Sequence, residues 1–243
     1  MYFGNGLGYG YGYGLFFDPT YILVIIGALI CIIASANIKW TFHRYSKQMN
    51  RRGYTAAQVA RMILDHEGLY KVDIEHISGD LTDHYDPRAD VVRLSSTVYN
   101  SSSVAAIGVA AHECGHVLQH HKGYVPIRVR NTLVPVVNIG STLSMPIIIL
   151  GVILSSLNMV NFGIILFSLT LVFQVVTLPV EFDASHRALR ILKNNGILFE
   201  DEVKSSRKVL RAAALTYVAA VVSTLLQILR LVLIFAANTR DDD

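Results

Sequence analysis

Charge is what this chain has least of. Asp, Glu, Lys and Arg make up only 16% of its 243 residues, against about 25% in an ordinary soluble domain. The net charge of +3 is mild and no long basic run occurs, so nucleic acid is excluded as a partner. Cysteine is scarce too. Cys31 and Cys114 are the only two; they make no disulfide framework, and each reads as a plain buried thiol. Acid is missing from whole stretches. Between Glu113 and Glu181 there is no Asp or Glu at all. A transport path would need ionisable groups inside apolar segments. The one clear base in such a segment is Arg230, which argues against a channel or transporter.

Apolar residues, in contrast, reach 52% and are bunched into blocks. A membrane span takes about 20 of them, and four blocks are long enough. The first transmembrane helix is predicted over 15–37, with its almost wholly apolar part from Pro19 to Ala36. Asp18 precedes it and basic residues follow it. Those flanks suit a signal-anchor with its N-terminus outside, not a cleaved signal peptide. Blocks from Leu133 to Leu157 and from Val160 to Val180 predict a transmembrane hairpin over 133–180, turning near Asn158 and Asn161. A fourth transmembrane helix is predicted over 212–237. The Gly/Tyr-rich tract 1–14 reads as a disordered tail, and 238–243 as an acidic one.

Two polar segments remain, 38–132 and 181–211. They hold twelve and seven of the 21 Lys and Arg. Four spans put both segments on one side of the bilayer, and the positive-inside rule makes that side the cytoplasm. Within the first segment, Thr55 to Leu64 has helical spacing, Val72 to Ile77 and Val91 to Ser95 read as strands, and Asp80 to Pro87 reads as a loop. Ser101, Ser102 and Ser103 offer an N-cap for a helix from Val104 to about His120, with Gly123 as its stop signal.

That helix carries His112-Glu113-Cys114-Gly115-His116, the HExxH pattern. Histidines four apart share one helix face and can share one metal ion, with the intervening glutamate reaching the metal-bound water. Zinc lowers that water's pKa to roughly 7 and polarises a scissile carbonyl; Glu113 then takes its proton and passes it to the leaving amine. Small and apolar neighbours from Ala105 to Leu118 suit a closely packed metal helix.

A catalytic zinc site wants a third protein ligand and one open position. The metzincin continuation fails, because Gln119 and Lys122 stand where it needs Gly and His. Helical rise carries His120 and His121 away from a metal held by His112 and His116. The next acid is Glu181, where the third span reaches the same side; it is the choice for third ligand, with Asp183 as the fallback. One zinc per chain is expected. Asp83, His84 and Asp86 form either a second metal site or a capped turn before Pro87. Val91 to Ser95 is a candidate edge strand for pairing with an extended substrate. Tyr217 and His186 are candidate oxyanion stabilisers or boundary anchors.

Glu181-Phe182-Asp183-Ala184 after a pair of spans resembles the third-ligand motif of the CAAX prenyl protease and heat-shock membrane protease families. In those families an Asp four residues after the ligand steadies the first histidine; here Ser185 stands there. The chain more closely resembles the YugP-type family of neutral zinc metallopeptidases of bacterial membranes. That resemblance rests on Asp83-His84-Tyr85-Asp86-Pro87, Ala111-His112-Glu113-Cys114-Gly115-His116, Glu181-Phe182-Asp183-Ala184-Ser185 and Ala213-Ala214-Leu215-Thr216-Tyr217.

The resulting expectation is a mainly α, four-helix transmembrane protein of the bacterial cell membrane. It carries a small α+β zincin-like cytoplasmic catalytic portion, 38–132, which holds the HExxH helix; the helical segment 181–211 brings the third ligand. Its partners are a protein or peptide substrate and the lipid bilayer. The alternative is a zinc-bound membrane scaffold or chaperone without turnover. Oligomeric state is not legible.

Overall fold

A computed structural model describes residues 19–238. The tail expected at 1–14, the tail expected at 238–243 apart from Asn238, and the first residues of the span expected from residue 15 lie outside the described residues. The protein is mainly helical, with one small sheet. In chain order its elements are α1 (Tyr21–Tyr45), α2 (Ala56–His66), β1 (Asp73–Ile77), β2 (His84–Asp86), β3 (Val91–Ser95), α3 (Val104–His121), α4 (Val125–Ile153), α5 (Leu157–Asn194) and α6 (Glu200–Asn238). Four of these, α1, α4, α5 and α6, are long and apolar enough to cross a membrane.

The chain divides into two compact units. Among the described residues, the first collects 19–33, Thr132–Val175 and 218–238. Its core is an apolar cluster of Ile148, Val160, Ile164, Leu231 and Phe235. Small residues let the helices approach, as they do in membranes where dispersion drives helix association. A Cβ at Gly163 would meet Ile148 Cγ1 at 2.5 Å, and one at Gly27 would meet Ser223 Oγ at 2.8 Å. Arg230 is buried with its guanidinium 5.2 Å from the centre of the Tyr21 ring. The turn between α4 and α5 falls at residues 154–156, where Ser155 takes a positive φ of 50°. Asn158 and Asn161, expected at that turn, are instead inside α5. The two serines break the apolar run earlier than the asparagines do.

The second unit collects Ala34–Asn131 and Val176–Tyr217. Its core packs α2, β3 and α3 with the polar parts of α5 and α6, through Val59, Ile63, Leu94, Ile107, Leu192 and their neighbours. Thr55 caps α2, and Gln58 closes a capping box with it. The strand order is β1-β3-β2. β3 pairs in parallel with β1 from Asp73↔Val91 to Ile77↔Ser95, and antiparallel with β2 from His84↔Arg93 to Asp86↔Val91. Val91 to Ser95 is therefore the central strand and not the edge strand expected for substrate pairing; four of its five residues are buried, as two-sided pairing demands. β2 is an edge strand, as is β1 on the other side; it is three residues inside a stretch that reads as a loop.

Helix α3 runs through the middle of this unit. Ser103 caps it, accepting from Ala106 N at 3.2 Å, and Gly123 follows its end at φ 66°. Two glycines set how closely neighbours approach. A Cβ at Gly108 would meet Ser206 Cβ at 3.2 Å, and one at Gly115 would meet the Ala184 carbonyl oxygen at 2.6 Å. Gly115, inside the HExxH stretch, thus lets α5 lie against α3 one turn after His112 and directly before His116.

Candidate metal centre

The helical spacing puts His112 and His116 on one face of α3, with ring centroids 4.7 Å apart. The close approach at Gly115 brings Glu181 of α5 to that face. Glu181 Oε2 lies 3.3 Å from His112 Nε2 and 3.7 Å from His116 Nε2. These residues are the one group among the described residues whose ligand atoms could hold a metal ion; all lie within 4.8 Å of one another. A tetrahedral zinc with N and O ligands at about 2.0–2.2 Å separates its ligand atoms by about 3.3–3.6 Å. The two Glu181 contacts, 3.3 and 3.7 Å, lie close to that separation.

Charge argues the same way. Glu181 and Glu113 are only 3% and 8% exposed, and among the described residues no Lys or Arg forms an ion pair with either. Two buried carboxylates facing the same place without a fixed cation are costly. A divalent cation between the imidazoles would offset that cost. Burial alone would depress the His116 imidazole, but the Glu181 and Glu113 carboxylates and Gln119 outweigh it and raise its pKa above the ordinary value.

Each histidine is steadied from behind. His112 Nδ1 lies 3.1 Å from Ser185 Oγ, and His116 Nδ1 lies 3.0 Å from Gln119 Oε1. With Nδ1–H donating to these oxygens, both Nε2 lone pairs point toward Glu181. Such outer partners fix the tautomer and ring orientation of ligating histidines. Gln119 is fully buried and is itself pinned, its amide donating to Val180 O at 2.7 Å and to Asp183 Oδ2 at 2.9 Å. Ser185 therefore fills the place where the CAAX-type pattern has its Asp. Neither role was read from the sequence. Ser185 sits one helical turn after Glu181 and Gln119 sits three after His116, and those two spacings were the available signal.

Glu113 points into the same space, its Oε2 accepting from Tyr85 N of β2 at 3.1 Å. The outward N–H of this edge strand thus holds the candidate base. A cavity of about 350 Å³ opens beside these groups, lined by His112, Glu113, Glu181, Tyr217 and Asp83 and by apolar side chains such as Ile38 and Leu210. Tyr217 lines this cavity together with Glu181 and Glu113, so of the two oxyanion candidates it is the one beside the candidate centre. His186 is exposed and accepts from Arg190 at 2.8 Å on another face.

The remaining candidates are occupied elsewhere. Asp183 pairs with Arg187 at 2.6 Å and takes no part in the metal group. Asp86 accepts from Arg88 N and Ala89 N and pairs with Arg93, the capped-turn reading. His84 Nδ1 lies 2.9 Å from Thr82 O, and Asp83 accepts from Ser95 N and Oγ, so no second metal group forms there. Burial raises the Asp83 carboxyl above the usual range, against the two Ser95 bonds, and the Glu113 charge adds to the rise. His121 pairs with Asp90 at 3.0 Å, and His120 lies 3.3 Å from the Tyr85 hydroxyl. Cys114 is buried against Ala60 O, and burial pushes its thiol well up.

Fold and site together define a helical protein with four helices able to span a membrane and a candidate centre of two histidines and one carboxylate. Residues 20–236 match the family described as "Putative neutral zinc metallopeptidase", and the chain belongs to that family. It is 46% identical over 224 residues to the protein named "Putative membrane protease YugP" of Bacillus subtilis (strain 168), covering 92% of this chain and 99% of that one. No solved structure matches the chain.

Proposed function

We propose that this protein is a membrane-embedded, zinc-dependent endopeptidase that hydrolyses peptide bonds of membrane or membrane-proximal proteins. The polar unit is its zincin-like catalytic part and faces the cytoplasm. The observation that carries the reading is the convergence of His112, His116 and Glu181 at ligand spacing with Glu113 beside them. The family membership and the name of the Bacillus relative support it, as does the Lys and Arg bias of the two polar segments.

Bound zinc would supply Lewis acidity, acidifying a water and polarising a carbonyl. The chain's own residues do the rest. His112, His116 and Glu181 hold the ion; Ser185 and Gln119 hold the imidazoles. Glu113, kept near by Tyr85 N, takes a proton from the attacking water and returns it to the leaving nitrogen. The Tyr217 hydroxyl, which lines the cavity, donates to the carbonyl oxygen as negative charge develops there. The largely apolar cavity takes a side chain next to the scissile bond.

The test is cleavage of a membrane-protein substrate library by zinc-loaded wild type and Glu113→Gln in one detergent. Turnover in the wild type with a loss of at least about a thousandfold in the variant supports the reading. Equal product from both proteins, or none from either, refutes it and favours a zinc-bound scaffold.

A further inference from the structure

A second cleft, of about 570 Å³, lies between the polar parts of α5 and α6, lined on one side by Arg190 and Lys193 and on the other by Arg207 and Arg211. No acid lines it. The acids of both helix stretches are engaged elsewhere. Asp183 pairs with Arg187, Glu200 with Lys204, Asp201 with Arg51, and Glu202 accepts from Arg51 N and Phe199 N. Four like charges facing one cleft repel each other and call for an anion to fill it. Guanidinium forks match phosphate oxygens in pairs.

The floor of the cleft is apolar, formed by Leu189, Leu210 and Ala214, with Phe182 at the rim and 49% exposed. A soluble phosphate needs no such floor. The apolar stretch 212–237 begins one residue after Arg211, and Phe182 lies two residues after the apolar run ending at Val180. Basic pockets between membrane helices, at the level where the apolar stretch ends, bind anionic headgroups. We propose that this cleft binds an anionic membrane phospholipid, with Arg190, Lys193, Arg207 and Arg211 on the headgroup phosphate and the apolar floor under the glycerol and first acyl carbons. The proposal uses the membrane insertion of the helices but no peptidase activity.

The full-length protein, purified in mild detergent, is titrated with phosphatidylglycerol or phosphatidylcholine, and bound lipid is counted by native mass spectrometry. Three proteins are compared: wild type, Arg207→Gln/Arg211→Gln, and Lys204→Gln/Lys208→Gln. Both variants lose two cations from the same helix, but only the first pair lines the cleft. At about 1 kcal/mol per cation, the cleft pair is expected to weaken phosphatidylglycerol binding by about 30-fold, with the control pair within twofold of wild type. Phosphatidylcholine is expected to bind weakly to all three, and 10 mM inorganic phosphate, roughly 10⁴ times a micromolar lipid Kd, is expected not to displace the lipid. Equal loss in both variants, no loss in either, equal binding of phosphatidylcholine, or displacement by phosphate would each overturn the proposal. Glu113→Gln should bind lipid as wild type does, so a failure here and a failure of the peptidase reading are separately visible.

Discussion

Gly115→Ala probes the geometry on which the metal centre depends. The new methyl would sit 2.6 Å from the Ala184 carbonyl oxygen and 3.1 Å from its carbonyl carbon and Cα. These are backbone atoms and cannot rotate away. Reaching an ordinary contact of about 3.4 Å means moving α5 off α3 by somewhat less than 1 Å. Overpacking of this kind costs about 1–3 kcal/mol. Alanine's helix preference returns about 1 kcal/mol, so the net loss is about 0–2 kcal/mol. The effect on metal is larger in proportion, because Glu181 rides on the displaced helix and ligand distances tolerate only about 0.2 Å. Zinc affinity is expected to fall about 10- to 100-fold, the range seen when ligand positioning is lost. The control is Gly108→Ala on the same helix, which meets only the Ser206 side chain at 3.2 Å and should be neutral within about 1 kcal/mol. Thermal unfolding in detergent and a competitive zinc titration read both quantities. Gly115→Ala with the melting temperature and zinc affinity of Gly108→Ala would refute the close-approach argument.

Four further outcomes are expected. Ser185→Ala leaves His112 Nδ1 without its acceptor, and zinc affinity should fall about 10- to 100-fold with melting unchanged within about 1 kcal/mol, whereas Ser185→Asp should restore binding. Gln119→Leu removes a fully buried amide that bonds His116, Val180 O and Asp183; leaving those partners unsatisfied should cost about 1–3 kcal/mol in unfolding as well as zinc. Tyr217→Phe should keep zinc but lower kcat about 10²–10³-fold with little change in KM, the pattern of a donor used only in the transition state. Cys114, buried with its thiol pKa raised, should resist iodoacetamide at pH 8 in the folded protein and react fully once it is unfolded.

Much of the candidate site was legible because its chemistry is local or scarce. Two histidines four apart declare a shared helix face, and with no acid between Glu113 and Glu181 the candidate for a third ligand had few rivals. What escaped was set by packing. Ser185 and His112 are 73 residues apart, and nothing in either neighbourhood says that they touch. Gln119 looked like a failed metzincin position because the expected pattern, not the i,i+3 geometry, framed it. β3 has the composition of a strand, but its central place follows from pairing with β1 and β2, which composition does not specify. β2 is only three residues long, and its flanking turn residues mask it. α5 runs unbroken through Pro179 to Asn194, so the polar segment after Glu181 continues the helix of the apolar one before it; a change of solvent preference along the sequence was not a change of element.

The central claim is that His112, His116 and Glu181 hold one zinc while Glu113 stays free to move a proton. Elemental analysis of the purified wild type, Glu181→Ala and Glu113→Gln tests it directly. The account predicts about one zinc per chain in the wild type and in Glu113→Gln, and a clear loss in Glu181→Ala. A wild type without zinc, or a Glu181→Ala protein that keeps its full complement, would contradict it.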